Sequence, residues 1–181
     1  MDDNVARILT QDVRTGPKDS GRGPMALQFR LAQATDVERL VAMINAAFRK
    51  AESYIIDRDR VDSALVDSLL AKGEFLVAED ETELAGCVYL ELRSERAYLG
   101  LLSVAPERQK GGVGSTLMRE AEQRCARAGC RFMDLRIIDL RKDNHAFYRR
   151  RGYVETGTEP FRPDLETKLA CHFVNMSKPL T

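Results

Sequence analysis

The passage that most narrows the fold runs from Leu101 to Ser115. An apolar stretch, Leu101-Leu102-Ser103-Val104-Ala105, meets Pro106, and a turn holding Gly111, Gly112 and Gly114 follows. Val113, Leu117, Ala121 and Cys125 then recur at every fourth position, with Glu120 and Arg124 paired on the outer side. The pattern reads as strand, glycine-rich turn and amphipathic helix, because proline cannot extend a ladder and glycine tolerates the backbone of a tight turn. The first amides of such a helix have no partner within it. With the helix dipole they form an anion site suited to phosphate or pyrophosphate. The plainer alternative is a turn needed only for packing. Two phosphate-binding patterns fail here. A variant Walker loop needs a lysine where Ser115 stands, and the dinucleotide fingerprint meets Leu117 where its third glycine belongs.

Around this passage the chain divides into short regular elements. Residues 1–24 mix charges of both signs with little periodicity, which predicts a disordered arm, and residues 25–181 are predicted to form a single domain. Leu27, Phe29 and Leu31 alternate as a strand, and Thr35-x-x-Glu38 reads as a capping box. Val37, Leu40, Val41, Ile44 and Phe48 follow at helical spacing, and residues 49–59 read as a loop or irregular helix. A second helix carries Val61, Leu65, Val66, Leu69 and Leu70 and stops at Gly73. Strands are expected at 75–78, 84–92 and 98–104. After the long helix come a strand at 131–138, a short helix ending before Gly152, and strands near 153–158 and 170–176. The order β-α-α-β-β-β-α-β-α-β-β predicts a mixed α/β fold with helices on the faces of one sheet.

Composition excludes several classes. Of 181 residues 44% are apolar and 31% charged, enough for a core and too apolar for wholesale disorder. Lys+Arg and Asp+Glu both number 28, so no cationic excess marks a nucleic-acid binder. No apolar run approaches the roughly 18 residues of a membrane span, and a soluble, cytoplasmic protein is expected. Cys87, Cys125, Cys130 and Cys171 show no C-x-x-C spacing; they read as core residues, and no metal is expected.

The glycine turn has a third counterpart. Gln109-Lys110-Gly111-Gly112-Val113-Gly114 matches the Q/R-x-x-G-x-G/A pyrophosphate loop of the GNAT superfamily of acyl-CoA-dependent N-acyltransferases. Tyr98 to Pro106 resembles the strand before that loop. The run Asn144-His145-Ala146-Phe147-Tyr148-Arg149-Arg150-Arg151-Gly152-Tyr153 resembles the family's later block, A-x-x-x-Tyr-x-x-x-Gly-Phe. The element order agrees, and the resemblance covers residues 27–178.

The resemblance implies a largely antiparallel central sheet flanked by helices, and acetyl transfer from acetyl-CoA to a primary amine by direct attack on the thioester. The backbone of Leu102, Ser103 and Val104 would meet the pantetheine arm. Gln109, Lys110, Gly111, Gly112, Val113, Gly114 and Ser115 would cradle the pyrophosphate, and Tyr148 would be the general acid. A phenol of pKa about 10 stays protonated at neutral pH and can donate to sulfur. Within Arg149-Arg150-Arg151, one arginine would suit the cofactor's 3′-phosphate while two face water.

Two departures matter. Many members carry an asparagine seven residues before the tyrosine; here Arg141 stands there and Asn144 lies four before, so either is a candidate for that cofactor contact. Some members place a glutamate where Arg136 stands. Glu91 and His172 are the remaining candidates for a base, Arg136 is a candidate partner for an acceptor carboxylate, and Phe161 is expected in the acceptor pocket. Proteins that the chain resembles are often dimers, so a homodimer is a possible assembly that the chain itself does not reveal, and a small molecule or peptide is the expected acceptor. The alternative is a non-catalytic acyl-CoA sensor, which the missing glutamate favours and Tyr148 opposes.

Overall fold

The computed structural model describes residues 27–81, 83–161 and 166–180. The predicted arm at 1–24 lies outside them. The elements are β1 (Gln28–Leu31), α1 (Val37–Glu52), α2 (Ser63–Leu70), β2 (Glu74–Glu79), β3 (Leu84–Arg93), β4 (Arg96–Val104), α3 (Val113–Arg127), β5 (Phe132–Ile138), α4 (Lys142–Arg149), β6 (Val154–Pro160) and β7 (His172–Pro179). The predicted order holds throughout. These strands form one seven-stranded sheet in the order β1-β2-β3-β4-β5-β7-β6, antiparallel at every step except β4 to β5.

The helices take opposite faces because their apolar stripes need separate partners. Leu40, Ile44 and Val66 of α1 and α2 pack with Phe75, Val77 and Tyr89 on one face. Leu117, Ala121 and Cys125 of α3 pack with Val88, Leu99 and Met133 on the other. Covered on both sides, Leu84 to Leu90 is buried at every position, which is why β3 reads as a continuous apolar run and not an alternating one. Cys87, Cys125 and Cys130 are buried free thiols, and burial pushes Cys125 up to about 12. Among the described residues no helix is long and apolar enough to cross a membrane.

The entry to α1 differs from expectation. A 3-10 turn, Ala34–Asp36, precedes the helix, and the Asp36 carboxylate, not Thr35, accepts from a backbone amide, that of Gln33 at 2.8 Å. The Arg30 guanidinium donates to both Asp36 oxygens, at 2.7 and 3.0 Å, and fixes the carboxylate in that role. The helix also continues to Glu52, four residues past Phe48.

One irregularity positions the site. β4 and β5 pair only from Arg96 and Phe132 to Leu99 and Leu135, and beyond that rung they separate. On its other edge β4 bulges: Cys87 faces Ser103 and Tyr89 faces Gly100, so Leu101 and Leu102 together oppose Val88. Leu101 takes the left-handed conformation, φ 49°, and packs toward the cluster under α1 and α2. Such a backbone costs a branched residue about 1–2 kcal/mol, which the apolar contacts of its side chain offset.

Candidate active site

A cleft of about 1540 Å³ occupies the fork between β4 and β5 and extends across the sheet face beside α1. One wall is the free edge of β4 from Gly100 to Val104, whose backbone has no strand partner on the β5 side. The glycine turn closes the end of this wall. Gln109 donates its side-chain amide to the Val104 carbonyl at 3.2 Å, tying the turn to the strand. Lys110 and Gly112 both adopt left-handed backbone, φ 67° and 85°, which reverses the chain into α3. No side chain caps α3, and the first helical bond is Thr116 N–H to the Gly112 carbonyl at 3.0 Å. The amides of Val113, Gly114 and Ser115 are left to whatever occupies the cleft. A Cβ on Gly114 would sit 3.4 Å from Val104, so glycine lets the helix start close against the strand end.

A cation is fixed beside these amides. Arg151 lies over the Phe147 ring at 3.5 Å, donates to the Phe147 carbonyl at 2.8 Å and donates to Ser115 Oγ. Arg149 instead pairs with Glu155 on the protein's outer side, at 2.6 Å. Lys110 is exposed at the cleft mouth. Uncapped amides, a pinned arginine and an exposed lysine fit a phosphate-bearing ligand.

Tyr148 enters the cleft from α4. Its ring is packed edge-on against Phe147 and Tyr153, with centroids 5.1 and 5.7 Å away. The hydroxyl has no hydrogen-bond partner among the described residues. Burial pushes the phenol well above its ordinary pKa, so it remains a proton donor at neutral pH.

The two candidates for the cofactor contact prove to be one unit. Arg141 donates to Asp143 at 2.9 and 3.0 Å, to Asn144 Oδ1 at 3.1 Å, and to Glu52 Oε1 at 3.1 Å. With its guanidinium committed to these acceptors, Arg141 organises the start of α4, while Asn144 keeps its amide NH₂ on the cleft wall. Glu52 was not singled out from sequence. The signal was present: Ile44, Phe48 and Glu52 recur at helical spacing on the apolar stripe of α1, and a carboxylate there requires a partner. Asn45, also buried, holds the following connection. It donates to the Val61 carbonyl at 2.8 Å and accepts from the Arg60 and Val61 amides at 2.8 and 3.0 Å.

The four acceptor-side candidates separate. Glu91 and Arg136 line the cleft, whereas Phe161 and His172 do not. Glu91 accepts from Arg93 at 2.8 Å, and that hydrogen bond holds its pKa below the usual carboxylate range. Arg136 lies over the Phe173 ring at 4.6 Å with one nitrogen 3.6 Å from Glu159. Phe161 stacks on Phe173 at 4.7 Å in a cluster with Ile55, Ile56 and Ile138, so its apolar area is spent inside the protein. His172 pairs with Asp139, Nδ1 to Oδ2 3.5 Å, at the strand end. Tyr98, Asp134 and Asn175 share the cleft face with Arg136 and were not singled out. Among the described residues no group of three or more His, Cys, Asp or Glu side chains gathers as for a metal ion.

Comparison with known proteins agrees with this geometry. The profile of the acetyltransferase (GNAT) family matches residues 37–153. The fold resembles the ribosomal-protein-S18-alanine N-acetyltransferase of Escherichia coli at 14% identity, covering 86% of this chain and 95% of that one, with TM-score 0.69. Ard1 from Thermoplasma volcanium shares it at 18% identity, 86% and 99% coverage and TM-score 0.71. A protein of Salmonella typhimurium solved with its cofactor acetyl-CoA does so at 19% identity, 86% and 95% coverage and TM-score 0.67. No curated protein matches the sequence at a significant level. The profile spans the cleft from the first residue of α1 to the tyrosine beyond α4, and the chain belongs to the GNAT family of acetyltransferases.

Proposed function

We propose that the chain transfers an acetyl group from acetyl-CoA to a primary amine, within the single domain predicted over residues 25–181. The observation that carries this reading is the free edge of β4 leading into an uncapped glycine turn, on the same cleft as the Tyr148 phenol. The backbone of Leu102 to Val104 offers strand-like hydrogen bonds to the amides of a pantetheine arm. The amides of Val113, Gly114 and Ser115, with Lys110, neutralise a pyrophosphate, while Gln109 holds the turn in shape through Val104. Bound acetyl-CoA supplies a thioester carbonyl already activated toward amines, and the Salmonella neighbour solved with it supports the assignment.

Tyr148 gives its proton to the departing sulfur and recovers one from the acylated nitrogen. Arg136, held over Phe173 and only loosely paired, presents a guanidinium to a carboxylate on the acceptor. The neighbour from Escherichia coli is named for acetylating an alanine of a ribosomal protein. An α-amine of pKa about 7.8 loses its proton at pH 7 for about 1 kcal/mol, against roughly 4.6 kcal/mol for a lysine.

Thermal shift with acetyl-CoA, coenzyme A, ATP and NADH tests the site. A ligand at about 100 times its Kd adds roughly 2.7 kcal/mol, several degrees for a domain of this size. A shift with the two coenzyme A ligands alone, followed by thiol release with an amine, is expected. The reading falls if neither coenzyme A ligand shifts the transition.

A further inference from the structure

Six carboxylates line the cleft: Glu52, Asp59, Glu91, Asp134, Asp143 and Glu159. Five are occupied or exposed. Arg93 and Tyr89 reach the two oxygens of Glu91, and Arg96 and Arg141 chelate Asp134 and Asp143 respectively. Glu159 accepts from Asn175 and sits near Arg136, about half exposed, and Asp59 pairs with Arg49 in solvent. Glu52 differs. Its side chain is 7% exposed, Oε1 accepts from Arg141 at 3.1 Å, and Oε2 has no hydrogen-bond donor among the described residues. The Arg60 guanidinium stands 4.0 Å from Oε2, beyond hydrogen-bond length. The carboxylate is thus held by one oxygen and offers the other.

We infer that Glu52 is the proton acceptor for the amine, taking a proton onto Oε2 from the acceptor's ammonium group. The inference rests on the acetyl-transfer reading and supplies the base that Arg136 displaces. Glu52, Arg141 and Tyr148 line the same cleft, and Arg141 bonds Glu52 directly.

The proton and electron count closes. The ammonium N–H proton passes to Glu52 Oε2, and the freed nitrogen lone pair forms the C–N bond at the thioester carbonyl. The C–S bond breaks with its electron pair going to sulfur, Tyr148 O–H protonates that sulfur, and the phenolate takes the remaining excess proton from nitrogen. Glu52 then returns its proton to water at the cleft mouth.

The groups facing Glu52 set its proton affinity. Arg60 in the α1–α2 connection and Arg141 before α4 favour the charged form, Asp143 on α4 opposes it, and Cys171 lies nearby before β7. Burial outweighs the arginines and raises the carboxyl above its ordinary value, toward that of an effective base.

The test compares wild type with Glu52→Gln, which keeps the volume and the acceptor for Arg141, and with Glu91→Gln. Thiol release from acetyl-CoA is followed against pH with alanine amide, lysine and spermidine as acceptors, and acetyl-CoA affinity is measured by calorimetry. Wild type should show kcat/KM level between the carboxyl and amine pKa values. Glu52→Gln should lose about 100-fold at pH 7 and rise tenfold per pH unit up to the amine pKa, with acetyl-CoA affinity unchanged. Glu91→Gln should keep the wild-type profile. A Glu52→Gln profile parallel to wild type overturns the assignment, as does equal loss of acetyl-CoA affinity. If the glutamine variant does not fold, Glu52→Asp decides: a retracted carboxylate should cost about tenfold in kcat at unchanged acetyl-CoA affinity, and wild-type kcat overturns the role. A wild type that binds acetyl-CoA but releases no thiol with any amine overturns acetyl transfer itself, and the role of Glu52 with it.

Discussion

The Glu52 carboxylate accepts a hydrogen bond from the Arg141 guanidinium at 3.1 Å, joining the last residue of α1 to the residue before α4 across 89 positions of sequence. Both side chains are nearly buried, so each is the other's compensation for lost hydration. The contact also sets the wall carried by α1 against the helix that carries Tyr148.

Replacing Arg141 with methionine therefore takes from the buried Glu52 carboxylate its hydrogen-bond donor and leaves it only the more distant Arg60. The expected cost is about 3 kcal/mol at pH 8. Without the guanidinium the folded state binds a proton more tightly than the unfolded chain, so the variant should lose stability as pH rises and recover part of it toward pH 5. Urea denaturation at pH 5 and pH 8 checks the sign; a cost independent of pH would place the effect in packing.

Tyr148→Phe removes a hydroxyl that makes no internal hydrogen bond, so stability should change little. Turnover should fall about 100-fold while acetyl-CoA affinity stays at the wild-type value. Thiol release and calorimetry on one preparation separate the two. Unchanged turnover would move the acid elsewhere, and a wild type that binds acetyl-CoA without turnover would return the chain to the class of acyl-CoA sensors.

Gly112→Ala tests the turn. A Cβ there meets nothing within 4 Å, so any effect comes from the backbone at φ 85° and not from a clash. The expected cost is about 1–2 kcal/mol in stability, with weaker coenzyme A binding as the loop relaxes. A variant with wild-type Tm and affinity would mean the turn tolerates a side chain and its glycine is incidental.

Arg136→Ala should raise KM several-fold for acceptors bearing a carboxylate and leave uncharged acceptors unaffected. Initial rates with an amino acid and its amide make the comparison. Equal KM changes for both, or none for either, would remove Arg136 from acceptor recognition.

Asp36 links stability to acid. The Arg30 hydrogen bond holds its carboxyl at about 2, against 3.8 for the free group, and Arg30 depresses Glu79 as well. The stabilisation, roughly 2 kcal/mol for Asp36, is complete above about pH 5 and is lost as pH falls toward 2. Asp36→Asn should flatten the decline in stability between pH 4 and 3, followed by urea denaturation; an unaltered slope would assign that decline to other carboxylates.

What the sequence by itself determined lies in short windows. The glycine turn, the stripe of α3, the element order and the tyrosine of α4 are set by periodicity and turn chemistry over five to fifteen neighbouring residues, and all are legible there. The cap at Asp36 was not, because Arg30, on a different element, chooses Asp36 over Thr35. Tertiary structure alone decided the rest. The fork arises because β5 pairs with β4 for four rungs and with β7 for the whole of its length, so sheet twist draws it away from β4. Glu91 and Arg136 come from separate strands and share one cleft, while Phe161 and His172, where β6 ends and β7 begins, are held instead by Phe173 and Asp139. Glu52 and Arg141 show the same limit. Each is readable as a charge in an apolar context, but their pairing depends on where α1 ends against the β5–α4 turn, and no local pattern encodes a contact across 89 positions.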